Sequence, residues 1–345
     1  MPHIVRPVDL AVDYQLFSDL LCRNLGPDAA EAKRFDWLYR ENPSGLAHAW
    51  IAIEAGTGRG MGAAAAFPRK FCVEQSIRPG YVLGDFCIDR QYRSLGLALQ
   101  LQRACLEQIG SPSSLPSYDF PSGKMLAIYQ RMHIAPARSM VRWSKPLRAE
   151  RKLGELIKSP VLARILAAPV NKLLEWKDNA ATSNGDWTIA QHRGDCEEEF
   201  TQLAHLVGSR YGPCVERSGE YLNWRYLRHP QVDHEILTAR QGEELKGYVV
   251  FSHTKTDGKI VDLFGFSNTA MWTALVTHVV ALLRERAIIT VSIPSLATSP
   301  WAKLLDEWGF RPREAAPVIV YVPGGVEAFA ENLSSWFLMD GDRES

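Results

Sequence analysis

The chain has 345 residues, more than a typical single domain, so its length predicts two domains of ordinary size. Its composition, with 46% hydrophobic and 23% charged residues, is that of a globular protein rather than a disordered or fibrous one. The 39 basic and 39 acidic side chains give a formal net charge of zero, which argues against nucleic acid or an anionic membrane as a partner of the whole molecule.

The six cysteines are scattered along the chain, without a C-x-x-C pair and without the spacing of metal ligands. They are typical of reduced, mostly buried thiols, and no secretory leader precedes them, so we expect a cytoplasmic protein with no metal site. No apolar segment reaches the roughly 18 residues that are needed to cross a bilayer, so no integral membrane association is expected.

Predicted elements follow in a definite order through the first half of the chain. A β-like run precedes a long helical pattern, a short helix with the letters FDWLYRENP, and three strand-like runs; a helix, a further strand and a last helix complete the half. The predicted strands are 3–8, 49–54, 63–73, 82–88 and 115–120, and predicted helices include 14–25 and 123–134.

The second half repeats this order. The letters LNWRYLRHP, from Leu222, place an apolar residue, a short polar residue, Trp, Tyr and Pro at the same offsets as FDWLYRENP, from Phe35. Predicted strands at 187–191, 234–239, 247–253 and 260–266 and a helix at 198–207 agree with the repeat. We therefore predict two copies of one α+β unit, at 1–147 and 185–325, with a linker at 148–184 and a tail at 326–345. One larger α/β domain is the alternative.

A short turn, RSLGLA, lies between the strand at 82–88 and the helix that follows it. A helix N-terminus offers unpaired N–H groups and a positive dipole end, which suit a pyrophosphate. Glycine and alanine allow the backbone to approach closely, and Arg93 adds a charged donor. A purely structural strand-to-helix corner is the alternative.

This order of elements, together with IDRQYRSLGLALQL, resembles the GNAT superfamily of acyl-CoA-dependent N-acyltransferases, whose pyrophosphate loop is Arg/Gln-x-x-Gly-x-Gly/Ala. The resemblance implies two tandem GNAT-like folds, layered α/β/α around a mixed sheet, and acetyl-CoA or another acyl-CoA as co-substrate. It assigns the binding of this co-substrate to Cys87, Ile88, Arg93, Ser94, Leu95, Gly96, Leu97 and Ala98.

The resemblance also implies two catalytic roles. Tyr129 occupies the position of a tyrosine that protonates the departing thiolate in family members, although its place in an apolar stripe fits a core tyrosine equally well. Asp85 is the carboxylate inside the fourth strand, where the family often carries a general base. A buried structural acid is the alternative for Asp85, favoured by a paired Asp262 in the second half.

The second half has no such turn: its strand leads into SNTAMWTALV, which Ser267 or Asn268 can cap. Leu305 stands where the first half has Tyr129, so we expect a single CoA site, in the first half. The tail carries Trp336 and Phe337, which could dock on the body, and then DGDRES, whose acidic end is expected to stay free.

The sequence therefore predicts an enzyme, an acyl-CoA-dependent N-acyltransferase that acts on a small-molecule amine. A short resemblance of LNWRYLRHP and of the tail to tandem GNAT-like proteins of cell-envelope biosynthesis suggests an amino-sugar acceptor and a role in polysaccharide synthesis. Two alternatives are a catalytically silent tandem module that binds a ligand or partner, and a Fem-like aminoacyl transferase.

Overall fold

The computed structural model describes residues 2–73, 76–109, 117–150, 187–208, 210–321 and 336–344, with isolated positions between 153 and 172. Its strands are β1 His3–Pro7, β2 His48–Glu54, β3 Gly60–Val73, β4 Ser76–Ile88, β5 Ser117–Asp119, β6 Pro136–Pro146, β7 Thr188–Gln191, β8 Cys214–Val215, β9 Glu235–Gln241, β10 Glu244–His253, β11 Asp257–Gly265, β12 Thr290–Leu296 and β13 Arg311–Tyr321. Its helices are α1 Tyr14–Leu25, α2 Ala32–Phe35, α3 Leu95–Ile109, α4 Gly123–Arg131, α5 Glu198–Gly208, α6 Gly219–Leu222, α7 Thr269–Glu285 and α8 Leu304–Glu307.

One mixed sheet runs through both halves of the described chain. Its strand order is β1-β2-β3-β4-β5-β13-β6-β12-β11-β10-β9-β7, with β8 paired to β3. The last strand of each half pairs with the other half: β13 pairs with β5 through Ile319 and Asp119, and β6 pairs with β12 through Ser144 and Ser292. Each half is therefore completed by a strand of the other, while the boundaries 1–147 and 185–325 stay a prediction.

The two copies of the repeated motif meet in the core. After α2 and α6 the chain makes one turn of π-helix in each half, at Asp36–Arg40 and Asn223–Leu227. Trp37 and Trp224 stack with ring centroids 4.8 Å apart. The indole N–H of each donates to the backbone carbonyl of the other, both at 2.8 Å. The repeat read from the sequence thus corresponds to a pseudo-twofold contact.

Apolar side chains fill both faces of the sheet. One core joins α1, α5, α7 and the two π-turns, and includes Phe17, Trp224 and Trp272. A second core lies under α3 and α4. The Asn268 side chain caps α7 by accepting from the N–H of Met271 at 3.0 Å, one of the two caps that the sequence allowed.

The acidic end of the tail is buried, so the expectation that it stays free is wrong. Asp342 is 0% exposed, and its buried charge is compensated by Arg217 at 2.9 Å. The aromatic pair does dock, since Trp336 packs edge-on against Phe71 and Phe337 is buried. Residues 326–335 and most of the predicted linker lie outside the described residues.

Three predictions from the sequence concern cysteines, membrane-spanning helices and metal ligands. Five of the six cysteines are buried, and none forms a disulfide. In the part of the chain that the structure describes, no helix has the length and apolar character of a membrane span. Within the same residues, no three His, Cys, Asp or Glu side chains are grouped as metal ligands.

Candidate active site

A bulge in β4 shapes the centre of the site. Opposite β3, Cys87 pairs with Ala63 and Gly84 pairs with Ala65, so Asp85 and Phe86 together face one residue of β3. Asp85 has φ +45°, in the left-handed region that aspartate tolerates better than bulkier residues. A bulge of this kind interrupts the ladder and redirects the chain that follows it.

A cleft opens beside the bulge, where residues 86–88 of β4 face α3 and α4. We call it the donor cleft; its volume is about 530 Å³. Six of the eight residues expected to bind the co-substrate line it: Cys87, Ile88, Arg93, Ser94, Leu95 and Ala98. The other two do not, because Gly96 is exposed at the start of α3 and Leu97 is buried in the core.

The RSLGLA turn forms the N-terminus of α3. The Ser94 hydroxyl accepts from the N–H of Leu97 at 3.3 Å and caps the helix, which leaves the N–H groups of Leu95 and Gly96 without an intrahelical partner. A Cβ placed on Gly96 would meet no atom within 4 Å. Packing within the described residues therefore does not explain the glycine of the motif.

A second cavity of about 330 Å³ adjoins the donor cleft; we call it the inner cavity. The two share four lining residues, from α1, from β4 and from α4 with its N-cap: Leu25, Phe86, Ser122 and Met125. Three carboxylate residues line the inner cavity, namely Asp85 and Asp119 from adjacent strands and Glu344 from the tail. The two spaces together could hold a long ligand with its reactive part beside these acids.

Asp85 is held in a buried network. Arg34 donates to both of its carboxylate oxygens, at 2.9 and 3.0 Å, and the Tyr39 hydroxyl donates to one of them at 2.8 Å. In the second half Asp262 has the same kinds of partner, Arg217 at 3.0 Å and Tyr226 at 3.2 Å. An Arg–Asp–Tyr group thus recurs in both halves, including the half in which the sequence shows no CoA turn.

Tyr129 is fully buried and lines neither cavity. Its hydroxyl donates to Asp119 at 2.7 Å and accepts from the Gln102 side chain at 3.3 Å. Burial and the neighbouring Asp119 raise the pKa of Tyr129 well above 10. Burial also raises the pKa of Asp119 to about 7, although the Tyr129 hydrogen bond opposes the rise. Asp119 can therefore exchange a proton near neutral pH.

Glu344 reaches the inner cavity from the end of the chain. One of its carboxylate oxygens is buried with no hydrogen-bond partner, and burial raises the pKa of its side chain. The side chain crosses directly over Gly84, where a Cβ would lie 2.5 Å from Glu344 Cγ. Glycine at 84 is what allows the tail to pass.

The comparisons with known proteins point to one fold. No protein-family model matches the sequence, and no curated protein sequence matches it. Among solved structures, a GCN5-related N-acetyltransferase from Anabaena variabilis aligns with a TM-score of 0.68 at 14% identity, over 95% of this chain and 74% of its own. A tandem GNAT protein from the clavulanic acid biosynthesis pathway aligns with a TM-score of 0.56 at 12% identity, over 94% of this chain and 99% of its own.

The chain is a tandem GNAT fold. The N-myristoyltransferase of Saccharomyces cerevisiae, solved with bound myristoyl-CoA, is similar to it as well, with a TM-score of 0.59 at 13% identity, over 94% of this chain and 85% of its own. The fold class and the GNAT resemblance predicted from the sequence are confirmed.

Several cavity residues of this tandem GNAT fold escaped the sequence analysis. Asp119 lies at the end of a predicted strand, where a carboxylate could have been noticed. Lys124, at the start of α4, lines the donor cleft together with residues of the turn and belongs to no sequence motif. Glu344 lies 225 positions after Asp119 in the sequence, so only the tertiary structure brings the two together.

Proposed function

We propose that the protein is an acyl-CoA-dependent N-acyltransferase that moves an acyl group from CoA to a primary amine. The observation that carries this is the donor cleft: the bulge of β4 and the capped N-terminus of α3 form its two ends, and the inner cavity with its acids opens from it. The similar structures include one reported with bound myristoyl-CoA and one named as a tandem GNAT protein, which supports an acyl-CoA as the donor.

The residues of the cleft fit the parts of CoA. Arg93 and the free N–H groups of α3 would hold the pyrophosphate, with Lys124 as a second positive charge across the cleft. The pantetheine would lie along Cys87 and Ile88, next to the bulge. Burial raises the pKa of the Cys87 thiol to about 12, so this cysteine is a neutral wall of the cleft rather than a nucleophile.

In this proposal Asp85 and Tyr129, which the sequence predicts to be the catalytic base and acid, have other roles. The oxygens of Asp85 are occupied by Arg34 and Tyr39, which suits a group that holds the bulge in shape. The Tyr129 hydroxyl donates a hydrogen bond to Asp119 and lines neither cavity, which suits a group that positions Asp119 rather than one that protonates the thiolate.

The remaining predictions concern substrates and setting. We expect a small-molecule amine as acceptor, with amino sugars of polysaccharide synthesis as the first candidates, and action in the cytoplasm. A catalytically silent module is less well supported, because three carboxylate residues line the cavity that adjoins the donor cleft. A Fem-like aminoacyl transferase has no use for the glycine of the turn, which internal packing does not require.

Calorimetry with acetyl-CoA and myristoyl-CoA tests this function. We expect binding by the intact protein and a loss of about 10- to 100-fold in affinity in Arg93→Glu, as expected when a charged hydrogen bond to phosphate is removed. Arg103→Glu, on an exposed position of the same helix, is the matched control and should bind as the wild type does. Absence of binding to either acyl-CoA, or equal affinities in the two variants, would contradict the proposal.

A further inference from the structure

Glu344 differs from Asp85 and Asp119, the two buried aspartates that line the inner cavity. Asp85 has Arg34 and Tyr39, and Asp119 has Tyr129, whereas Glu344 Oε2 is buried without any partner. Burying a carboxylate oxygen without a hydrogen bond costs free energy, so such a group in a folded protein calls for a reason beyond packing. A cationic ligand in the adjoining cavity would satisfy it.

The path of the tail fixes Glu344 in place before any ligand arrives. The Tyr118 hydroxyl donates to the carbonyl of Asp342 at 2.6 Å, and Arg225 Nε donates to the carbonyl of Gly341 at 2.7 Å. Arg217 pairs with the Asp342 side chain. Since these anchors come from both halves of the fold and end two residues before Glu344, the carboxylate is held at the cavity wall by the framework of the whole molecule.

The ionisable side chains that line the inner cavity are Asp85, Asp119 and Glu344, and none of its described lining residues is Lys, Arg or His. Arg34 neutralises Asp85, so the negative charge that a ligand would meet is that of Asp119 and Glu344. A cation is attracted to such a space, whereas a ligand with an anionic group beside its amine is repelled. The polar neighbours Gln102 and Ser122 can bond neutral parts of a ligand.

We propose that Glu344, together with Asp119, binds the acceptor as an alkylammonium ion and takes its proton, so that the C-terminal tail supplies part of the active site. This inference rests on the proposed N-acyl transfer. The acceptor class that it names is a primary amine without a carboxylate next to the amino group, and its ammonium end fits a cavity of about 330 Å³.

The step balances without a further reactant. The ammonium gives one proton to the carboxylate pair, and the free amine attacks the thioester carbonyl carbon, forming the C–N bond. The C–S bond then breaks, and the second nitrogen proton passes to the departing thiolate, which leaves as the CoA thiol. The proton held by the acids returns to solvent before the next turnover.

The pH dependence of acyl transfer follows from the groups around Asp119. Burial raises its pKa to about 7, and the charge of Glu344 adds to the rise. The ionisable groups that interact with Asp119 from the surrounding elements are Tyr129, Cys105, Glu344 and Arg343. Because Asp119 must be ionised to accept a proton, transfer should increase as the pH rises through about 7.

The first experiment compares Glu344→Gln with Glu107→Gln, an exposed control on α3, using acetyl-CoA and a panel of ethanolamine, glucosamine and putrescine. We expect Glu344→Gln to keep acetyl-CoA affinity and to lose about 100-fold in kcat/KM, the scale of one general base. The rising limb of the pH–rate profile of Glu344→Gln should also move to lower pH, because the Glu344 charge that raises the Asp119 pKa is gone. The control should match the wild type.

The second experiment needs no identified acceptor. Binding of n-butylamine and of n-butanol is measured for wild type and Glu344→Gln at pH 8, with and without CoA. We expect the wild type to bind the amine about 10-fold more tightly than the alcohol, and the variant to show no such preference. Circular dichroism confirms that the variant is folded, and should it not fold, the wild-type preference alone decides.

The outcomes separate this inference from the function on which it rests. Absence of acyl-CoA binding overturns the proposed function, while a wild-type preference for the amine would still support the cation site. If acyl-CoA binds and the wild type shows no preference for the amine, the inference is overturned. An unchanged rate and pH profile in Glu344→Gln overturns it as well.

Discussion

At the scale of single residues, the protonation of buried acids decides what the site can do. Asp119 and Asp85 lie on adjacent strands and are both buried, yet one is bonded to a neutral phenol and the other to a guanidinium. The first can gain a proton near neutral pH, whereas the second is held as one half of an ion pair. Identical side chains on neighbouring strands therefore receive different chemistry from their partners.

Asp119→Asn should stabilise the fold at pH 8. The folded-state pKa of about 7 lies above the ordinary 3.8, so protonated Asp119 stabilises the protein fully below about pH 4 and loses this as the pH rises through 7. One pKa unit corresponds to about 1.4 kcal/mol, which gives a gain of at most about 4 kcal/mol above pH 7. Urea unfolding of the wild type and Asp119→Asn at pH 4 and pH 8 measures this gain in the free energy of unfolding. An equal gain at both pH values would show that Asp119 carries no buried, unpaired charge at pH 8.

Asp85→Asn should destabilise the protein by about 3–5 kcal/mol, because it leaves the buried Arg34 guanidinium without its counter-charge. Asp262→Asn is the matched variant in the second half, and it should cost less, because Arg217 keeps Asp342 as a second counter-charge. Folded Asp85→Asn should keep the pH profile of transfer. If the rising limb of the pH–rate profile were lost in Asp85→Asn alone, Asp85 would be the general base.

At the scale of elements, the repeated Trp motif explains how the halves join. The sequence predicts an ordinary helix there, and the structure has a turn of π-helix in each copy, closed by the N–H of Glu41 to Asp36 and of Arg228 to Asn223. A π-turn widens the helix locally, and here it carries the tryptophan that meets its counterpart. Local periodicity could not reveal this, because the stabilising contact is between two segments 187 positions apart.

Trp37→Phe and Trp224→Phe should each cost about 1–3 kcal/mol, because each removes an indole N–H and leaves a buried carbonyl without its donor. The two losses should not add: since the rings stack on one another, we expect a coupling of about 0.5–1.5 kcal/mol in a double-mutant cycle. Chemical denaturation of the four proteins measures it, and simple additivity would show that the pair does not act as a unit.

At the scale of the whole molecule, the exchange of β6 and β13 makes the two copies interdependent. The sequence shows the duplication, and each copy has its own helices and strands, which is why two units are expected. The sheet closes only when β13 lies between β5 and β6, so a separate first half would expose unpaired strand edges. The tail adds to this, since it is anchored by residues of both halves.

We therefore expect the full chain to unfold in one cooperative transition and residues 1–147 to be unable to fold alone. Differential scanning calorimetry of the full chain and circular dichroism of the fragment 1–147 test this. Mixing that fragment with 148–345 should restore native helix content and acetyl-CoA binding, as a matched positive control. Two resolved transitions in the full chain would show that the copies are independent domains.

The sequence by itself determined the duplication, the α+β class and the turn at Arg93, because hydrophobic periodicity, turn residues and helix-terminus chemistry are local properties that neighbouring residues report. The sequence also shows that the RSLGLA turn occurs in the first copy and not in the second. Only the tertiary structure decided which strands pair across the halves, that Tyr129 is bonded to Asp119, and that Glu344 reaches the inner cavity. These depend on contacts between residues far apart in the chain, and the environment that sets the protonation of an acid exists only once those residues have come together.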